Sequence, residues 1–354
     1  MRIGLVAGPW IPIPPVTYGG IERVVDNLAR GFVAAGHEVL LAAPSDSTCP
    51  VPLVAGMQDS APHELGSTTS ELSHVVRAYK SLGSVDIIHD HTMAGPLYVH
   101  SPQGTPVVTT IHGPLNAHAV DIYGAIARRR AAIIAISRDQ ASHAPEVPIT
   151  RVIHHGMDVS SVPVGAGDGG YLCFVGRSCP DKGLLEAIMI AREAGMPLRI
   201  AVKMREPAEL RYFHEAIEPL LGPNEDFVGE VDDATKYRLM GGALAFLNPI
   251  QWSEPFGLVM IEALATGTPV IGTKIGSAPE IVDHGRTGFL GKTRDLARFA
   301  GSAAGLDRTA CRRVVAERFS VERMVGQHLR LFTELIESRM PGGVPDTAHV
   351  HQNL

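Results

Sequence analysis

Short apolar runs at residues 3–7 and 39–43, with further strand candidates at 85–89, 107–111 and 132–136, punctuate the first half of the chain. Between the first two, Val24, Val25, Leu28 and Phe32 recur at helical spacing through 20–35, and Gly36 stands where a helix C-cap glycine belongs. Continuous apolar strands separated by helices read as a parallel sheet covered on both faces; a sheet with one wet face would alternate apolar and polar positions. The pattern lapses at 157–170, where Gly165-Ala166-Gly167-Asp168-Gly169-Gly170 has the small, flexible composition of an interdomain linker. It then restarts. Strands at 171–175, 198–202, 227–229, 243–248 and 269–273 alternate with helices at 183–193, 234–240 and 256–265. A last amphipathic helix runs over 321–336, with Met324, Val325, Leu329, Phe332 and Ile336 apolar. The expectation is an α/β protein of two doubly wound domains, 1–156 and 157–320. Residues 341–354, with two prolines and no core pattern, are expected to form a poorly ordered tail.

A chain of 354 residues has room for two domains, and 45% hydrophobic with 19% charged residues is ordinary for a globular protein with a sizeable core. A formal net charge of -6 argues against nucleic acid as the partner, since no large positive field is available to hold phosphates. Cys49, Cys173, Cys179 and Cys311 are scattered without zinc-ligand spacing, and four cysteines in a chain of this length fit a reduced, cytoplasmic setting. The opening Met1-Arg2-Ile3-Gly4-Leu5-Val6-Ala7-Gly8 is too short an apolar run for a secretory signal and reads as a buried first strand. No stretch of about 20 apolar residues spans a membrane.

Open α/β sheets bind ligands at the carboxyl ends of their strands, and the informative residues fall there. After the first strand, Tyr18-Gly19-Gly20-Ile21-Glu22 places two glycines at a helix opening, where backbone can approach an anion or simply turn. Gly176-Arg177 and Asp181-Lys182-Gly183 follow the strand at 171–175. A planar guanidinium and a point-charge ammonium five residues apart can clamp a diphosphate, or stand as a solvated basic pair. The most specific stretch is Trp252-Ser253-Glu254-Pro255-Phe256-Gly257-Leu258-Val259-Met260-Ile261-Glu262. If helical throughout, it would set its two carboxylates roughly 12 Å apart, the scale of a sugar–diphosphate–ribose unit. The N–H groups of Phe256, Gly257 and Leu258 would open the helix between them as an anion site. Glu262 lies among Met260, Ile261, Ala263 and Leu264, and a carboxylate on so apolar a helix needs a dedicated partner. His89 and His91 could share a face as metal ligands, but two ligands without a third make a poor site, and no metal is expected.

These motifs, with Gly267-Thr268-Pro269-Val270, Pro279-Glu280-Ile281-Val282 and Thr287-Gly288-Phe289, resemble family 4 of the retaining glycosyltransferases across nearly the whole chain. The resemblance implies two Rossmann-like domains facing across a deep cleft (the GT-B fold), with the helix 321–337 packing back on the N-terminal domain. It implies Arg177 and Lys182 on the donor diphosphate, Glu254 on the donor sugar, Glu262 on the ribose, and Gly19 and Gly20 closing on the phosphates. It sets His112 beside the anomeric carbon, His91 on the acceptor side, and the backbone around Val231 against the nucleobase. Lys203 and Arg205, in a loop that replaces the usual Gly-rich turn, can reach the donor phosphates or the acceptor, or form an exposed basic loop. The family's interdomain Asn-Gly-Val-Asp here reads His155-Gly156-Met157-Asp158.

The implied reaction is same-face transfer of a hexose from a nucleoside-diphosphate sugar to an acceptor hydroxyl, with no cofactor. UDP-glucose or a related UDP-hexose is the leading donor and GDP-mannose the next. The acceptor is legible only as the business of loops 17–22, 91–96 and 112–118; a small soluble molecule is preferred over a glycan or lipid. Charged residues at every clamp position stand against the alternative, a non-catalytic sugar-nucleotide-binding protein. An epimerase should lack the spaced glutamates, a phosphorylase should carry a pyridoxal-lysine signature, and a dinucleotide dehydrogenase needs a Gly-x-Gly-x-x-Gly after the first strand.

Overall fold

The computed structural model describes residues 1–16, 19–98 and 104–339, so Tyr18 and the tail at 341–354 lie outside the described residues. Two six-stranded parallel sheets carry the chain. The first has the order β2-β1-β3-β4-β5-β6, from β1 (Arg2–Val6), β2 (Glu38–Ala42), β3 (Ile87–Asp90), β4 (Val107–Thr110), β5 (Ala132–Ala135) and β6 (Arg151–Val152). The second has the order β12-β11-β10-β7-β8-β9, from β7 (Leu172–Arg177), β8 (Leu198–Lys203), β9 (Glu225–Gly229), β10 (Ala245–Asn248), β11 (Val270–Thr273) and β12 (Gly288–Gly291). Helices α1 (Gly20–Ala34), α2 (Thr68–Ser81), α3 (Ala117–Arg128) and α4 (Arg138–Ser142) belong to the first half. The second holds α5 (Leu184–Glu193), α6 (Pro207–Tyr212), α7 (Asp233–Gly242), α8 (Leu258–Ala265), α9 (Ala278–Ile281), α10 (Ala300–Ala303) and α11 (Arg308–Arg318), followed by α12 (Val321–Glu337). No helix among the described residues is long and apolar enough to cross a membrane.

The apolar runs are central strands. β1 pairs in parallel with both β2 and β3, and Ile3, Leu5 and Val6 are wholly buried. Gly36 takes φ +85, the left-handed value that ends α1. In each sheet the strand order reverses beside the first strand of its half, so the loops after β1, β3 and β4 and after β7 and β10 part there and leave a crevice.

The chain passes between the halves twice, and the two passes lie side by side. Met157 N–H donates to the Phe319 carbonyl (2.9 Å) and Val321 N–H returns to Met157 (3.2 Å). Gly156 is pressed so closely on Ser320 that an added Cβ would collide with its carbonyl. Beyond this point α12 packs on α1 of the first half. Met324, Val325, Leu331 and Phe332 join the core around Val24, Leu28 and Phe32, with the Phe32 and Phe332 rings 5.5 Å apart.

The glycine-rich segment at 165–170 departs from the expectation of a slack linker. Gly165, Gly167 and Gly169 donate to the carbonyls of Thr266, Gly241 and Gly242 at 2.9–3.0 Å, and Arg308 clasps the carbonyls of Gly165, Gly241 and Ala243. A side chain at Gly165 would collide with the Gly241 backbone, so the small residues serve close approach rather than freedom.

Because the groups facing Gly156 are backbone, they cannot rotate away. Gly156→Ala should lower stability to urea unfolding by about 1–3 kcal/mol, the scale of overpacking. An unchanged midpoint would show that the paired crossings give way easily.

Candidate active site

Between the two sheets lies a cleft of about 1270 Å³, lined from both halves. Gly19, Gly20 and His112 line it on the N-terminal side; Arg177, Lys182, Lys203, Val231, Glu254, Phe256, Gly257, Leu258 and Glu262 line it on the other. Such a volume exceeds that of a typical small-ligand pocket, roughly 300–1,000 Å³, and leaves room for two substrates. His91 alone among the expected site residues is not on the cleft wall. It is buried behind His112, its Nδ1 hydrogen-bonded to His112 Nε2 at 2.8 Å. The partner is set by alternation along the strand, which turns His91 inward beside β4.

The cationic side of the cleft arrives paired. Lys182 is held at the end of a short turn whose Gly183, at φ +75, lies against the Pro249 carbonyl; Gln251 N–H donates to Asp181 (2.8 Å). This stitching of the loop after β7 to the loop after β10 brings the Lys182 ammonium onto Glu254 Oε1. The other carboxylate oxygen, Oε2, is buried with no hydrogen-bond partner among the described residues, and so is the Asn248 amide nitrogen nearby on the cleft wall. Buried polar atoms left open at a cleft are where a hydroxyl-bearing ligand supplies the missing bonds. Arg177 lies 3.7 Å from Glu209. Burial works against the charge on Glu209, yet N–H groups of Arg205 and Glu206 and the Lys203 ammonium (3.3 Å) hold its carboxyl below the ordinary value. Lys203 and Arg205 are therefore not a free basic loop: Lys203 also meets Glu206 (2.9 Å) and Arg205 meets Glu230 (2.9 Å).

Glu262 has the dedicated partner its apolar helix demands. Lys236 of α7 lies 2.7 Å from its Oε1 and 3.0 Å from Asp233, which in turn takes Arg23 of α1 at 2.7 Å. The chain of charges Glu262–Lys236–Asp233–Arg23 thus spans the cleft. Burial opposes the charge on Lys236, but the Glu262 and Asp233 carboxylates raise its value further and keep it an ammonium. Sequence reasoning passed over Lys236, Asp233 and Arg23; the available signal was a basic residue three positions after an acidic one, just past the turn at Val231.

The turn before α8 differs from the expected helix start. The helix begins at Leu258, and Gly257 caps it at φ +81, a conformation open to glycine. Phe256 is in the turn, its ring buried and its carbonyl taking the Ser277 hydroxyl. As the expected helix span at 256–265 already has it, the two glutamates do not share one helix. Glu254 stands in the loop and Glu262 in the helix, on separate lysines.

His112 belongs to a file of buried imidazoles. His328 of α12 lies 5.0 Å from His89, His89 4.2 Å from His91, His91 5.1 Å from His112 and His112 5.3 Å from His155, ring centre to ring centre. The nitrogens of His89 and His91 turn to Thr110 (2.8 Å) and His112, and no group of three or more metal-ligating side chains converges among the described residues. Burial pushes all five below the usual histidine value, His328 to about 4 and His112 to about 3, so the file is neutral at pH 7. Behind it, Asp90 accepts from Tyr79 (2.7 Å) and Thr92 (2.7 Å) while burial lifts it to about 7.

Residues 18–161 match the family model described as Glycosyltransferase Family 4, and residues 163–305 match Glycosyl transferases group 1. The chain carries the two domains of a family 4 glycosyltransferase. It is 29% identical to a Mycobacterium tuberculosis glycogen synthase over 85% of each chain. It is also 29% identical to the Mycolicibacterium smegmatis phosphatidyl-myo-inositol mannosyltransferase, over 86% of this chain and 84% of that one. Among solved structures, AviGT4, a glycosyltransferase involved in avilamycin A biosynthesis, superposes with a TM-score of 0.75 at 27% identity over 95% of this chain and 98% of that one. The Anabaena protein HepE in complex with UDP and glucose shares the fold at a TM-score of 0.73 and 18% identity, over 94% and 99%. The glycosyltransferase thus has the GT-B architecture, each domain a six-stranded parallel sheet.

The buried histidines predict that acid destabilises this protein. A histidine whose native value lies below its ordinary 6.5 takes its proton more readily when unfolded. The stability it supports is intact above 6.5 and is lost as pH falls toward about 4 for His74 and His328 and about 3 for His112. Asp90, Glu22 and Glu71, raised by burial, act in the opposite sense but are outnumbered. The melting temperature should therefore be lower at about pH 5 than at about pH 7.5. Equal melting temperatures would contradict a neutral buried file.

Proposed function

We propose that this glycosyltransferase moves a hexose, with retention of configuration, from a nucleoside-diphosphate sugar to an acceptor hydroxyl in the cytoplasm. UDP-glucose or a related UDP-hexose is the first candidate donor and GDP-mannose the second. One observation carries the reading: Arg177 and the Lys182–Glu254 pair on one wall, with an open carboxylate oxygen, share a single cleft with His112 on the other. The solved complexes of HepE with UDP and with UDP-glucose, on the same fold, support the choice of base and sugar, while the mannosyltransferase among the relatives keeps the second donor in view.

In this reading the donor diphosphate lies toward Arg177, Lys182 and the α8 N-terminus, and Glu254 Oε2 accepts from the sugar hydroxyls. Glu262 takes the ribose, Gly19 and Gly20 close from the facing domain, Lys203 reaches toward the phosphates, and the backbone at Val231 meets the base. The glycosidic C–O bond to phosphate stretches, and the diphosphate gains charge that the prearranged cations and helix end stabilise. The acceptor oxygen forms its bond to the anomeric carbon on the face being vacated. Its proton passes to the departing phosphate oxygen. His112, held neutral by burial, lines the reaction site without adding charge to the oxocarbenium-like centre. Paired cations favour this chemistry because they are positioned before the donor arrives. Neither metal nor cofactor takes part; the acceptor is a small molecule or glycan, with a lipid as the rarer case.

Arg177→Ala, Lys182→Ala and Glu254→Gln should each reduce donor turnover by about 10²–10³-fold, the scale of losing one preorganised electrostatic contact. Product NMR should show the donor's anomeric configuration. Wild-type turnover in all three variants would overturn the assignment, and an inverted product would overturn retention.

A further inference from the structure

His155 lines the cleft, yet the proposed chemistry leaves it without a task, and it stands where the family pattern has asparagine. Its ring is stacked on His112, with centres 5.3 Å apart and planes at 20°. On its other side it meets Phe256 edge to face, at 5.2 Å and 77°. His112 ends a strand of the N-terminal sheet, and Phe256 sits in the turn that opens α8 in the other domain. A single side chain therefore joins the two walls of the site.

The backbone that carries His155 has little room to move. Arg323 of α12 donates to the carbonyls of His154 and His155, and Asn27 of α1 donates to Gly156 at 3.3 Å. The neighbouring His154 holds Glu280 at 2.7 Å, and Glu280 also takes the N–H groups of Arg138 and Asp139 across the domain boundary at 3.0 and 2.9 Å. Burial, reinforced by His112, His328, His154 and Arg323, keeps the His155 ring uncharged, so what it offers its neighbours is an aromatic face and edge. On its far side His112 shares one hydrogen bond with His91, in which one ring donates and the other accepts, so the tautomers of the two rings are coupled.

We propose that His155 is a positioning residue: wedged between His112 and Phe256, its ring fixes the orientation of the His112 imidazole and ties it to the turn that opens α8. The proposal rests on the reading that His112 borders the anomeric carbon. Asparagine has no ring to stack, so the family's residue at this position is also the informative substitution. Phenylalanine restores a ring without restoring imidazole nitrogens.

The test compares wild type, His155→Asn and His155→Phe by steady-state turnover of UDP-glucose, with water or a supplied hydroxyl compound as acceptor, and by NMR of the imidazole N–H proton between His91 and His112. His155→Asn should lower kcat by about 10–100-fold, the scale of a misplaced reacting group, with KM for UDP-glucose unchanged. The bridging N–H signal should broaden or vanish. His155→Phe should recover most of kcat and the signal. Wild-type kcat with an intact signal in His155→Asn would overturn the proposal, as would a Phe variant impaired as severely as the Asn one. If the wild type does not turn over UDP-glucose, that donor assignment has failed; the N–H signal still decides the positioning role, and its persistence in His155→Asn overturns it.

Discussion

The site depends on a constraint that lies outside it: the paired crossing of Gly156–Met157 with Ser320–Val321. Each half of the protein can close its own sheet, but neither half contains a complete site. Arg177, Lys182 and Glu254 stand at the carboxyl ends of strands in one sheet and His112 at the end of a strand in the other. The two walls are joined where the chain leaves the first domain and later returns to it, the two passes hydrogen-bonded side by side at Met157 and Ser320–Val321. Gly156 permits that contact because no side chain intervenes, and α12 then anchors the return through Val325 and Phe332 on α1.

The cleft meets its electrostatic problem by local pairing. Cations that would meet a diphosphate are each set against a carboxylate: Lys182 on Glu254, Lys236 on Glu262, Arg177 near Glu209. Removing ions from water is expensive, and pairing with additional hydrogen bonds limits that penalty. The same pairs orient the side chains. The histidine file obeys the opposite rule: its five rings are buried without carboxylate partners and remain neutral. The paired charges therefore cluster where the diphosphate would lie, and the imidazole at His112 brings no charge to its side of the cleft, a division suited to a reaction whose leaving group gathers negative charge while its sugar centre becomes electron-poor.

Much of this was legible in the sequence, for reasons that differ from residue to residue. Buried parallel strands are largely apolar, so β1, β2 and β5 and the apolar openings of β3, β4 and β7 stand out, and α1 and α12 carry apolar stripes of helical period. The motif glycines and charges follow strands, where ligands bind. Helix α2 was hidden because its buried face includes Glu71 and His74 beside Val75 and Ala78, and α11 because four arginines interrupt its apolar side. Arg308 and Arg312 there turn back onto carbonyls of the segment at 159–165, a tertiary contact with no local signature. The same contacts explain why 165–170 resembled a loose tether. Position within the site was the least legible part. His91 could be assigned to the reaction neighbourhood, but only the packing of β3 against β4 shows that it stands behind His112. The partner of Glu262 could be demanded from its apolar surroundings without being named.

Calorimetric titration of the purified protein with UDP, GDP and ADP is the most direct test of a nucleotide-sugar cleft built jointly by both domains. The account predicts one site per chain, with UDP bound most tightly. No heat of binding from any of the three diphosphates would contradict it, because the charged wall would then have no ligand to hold.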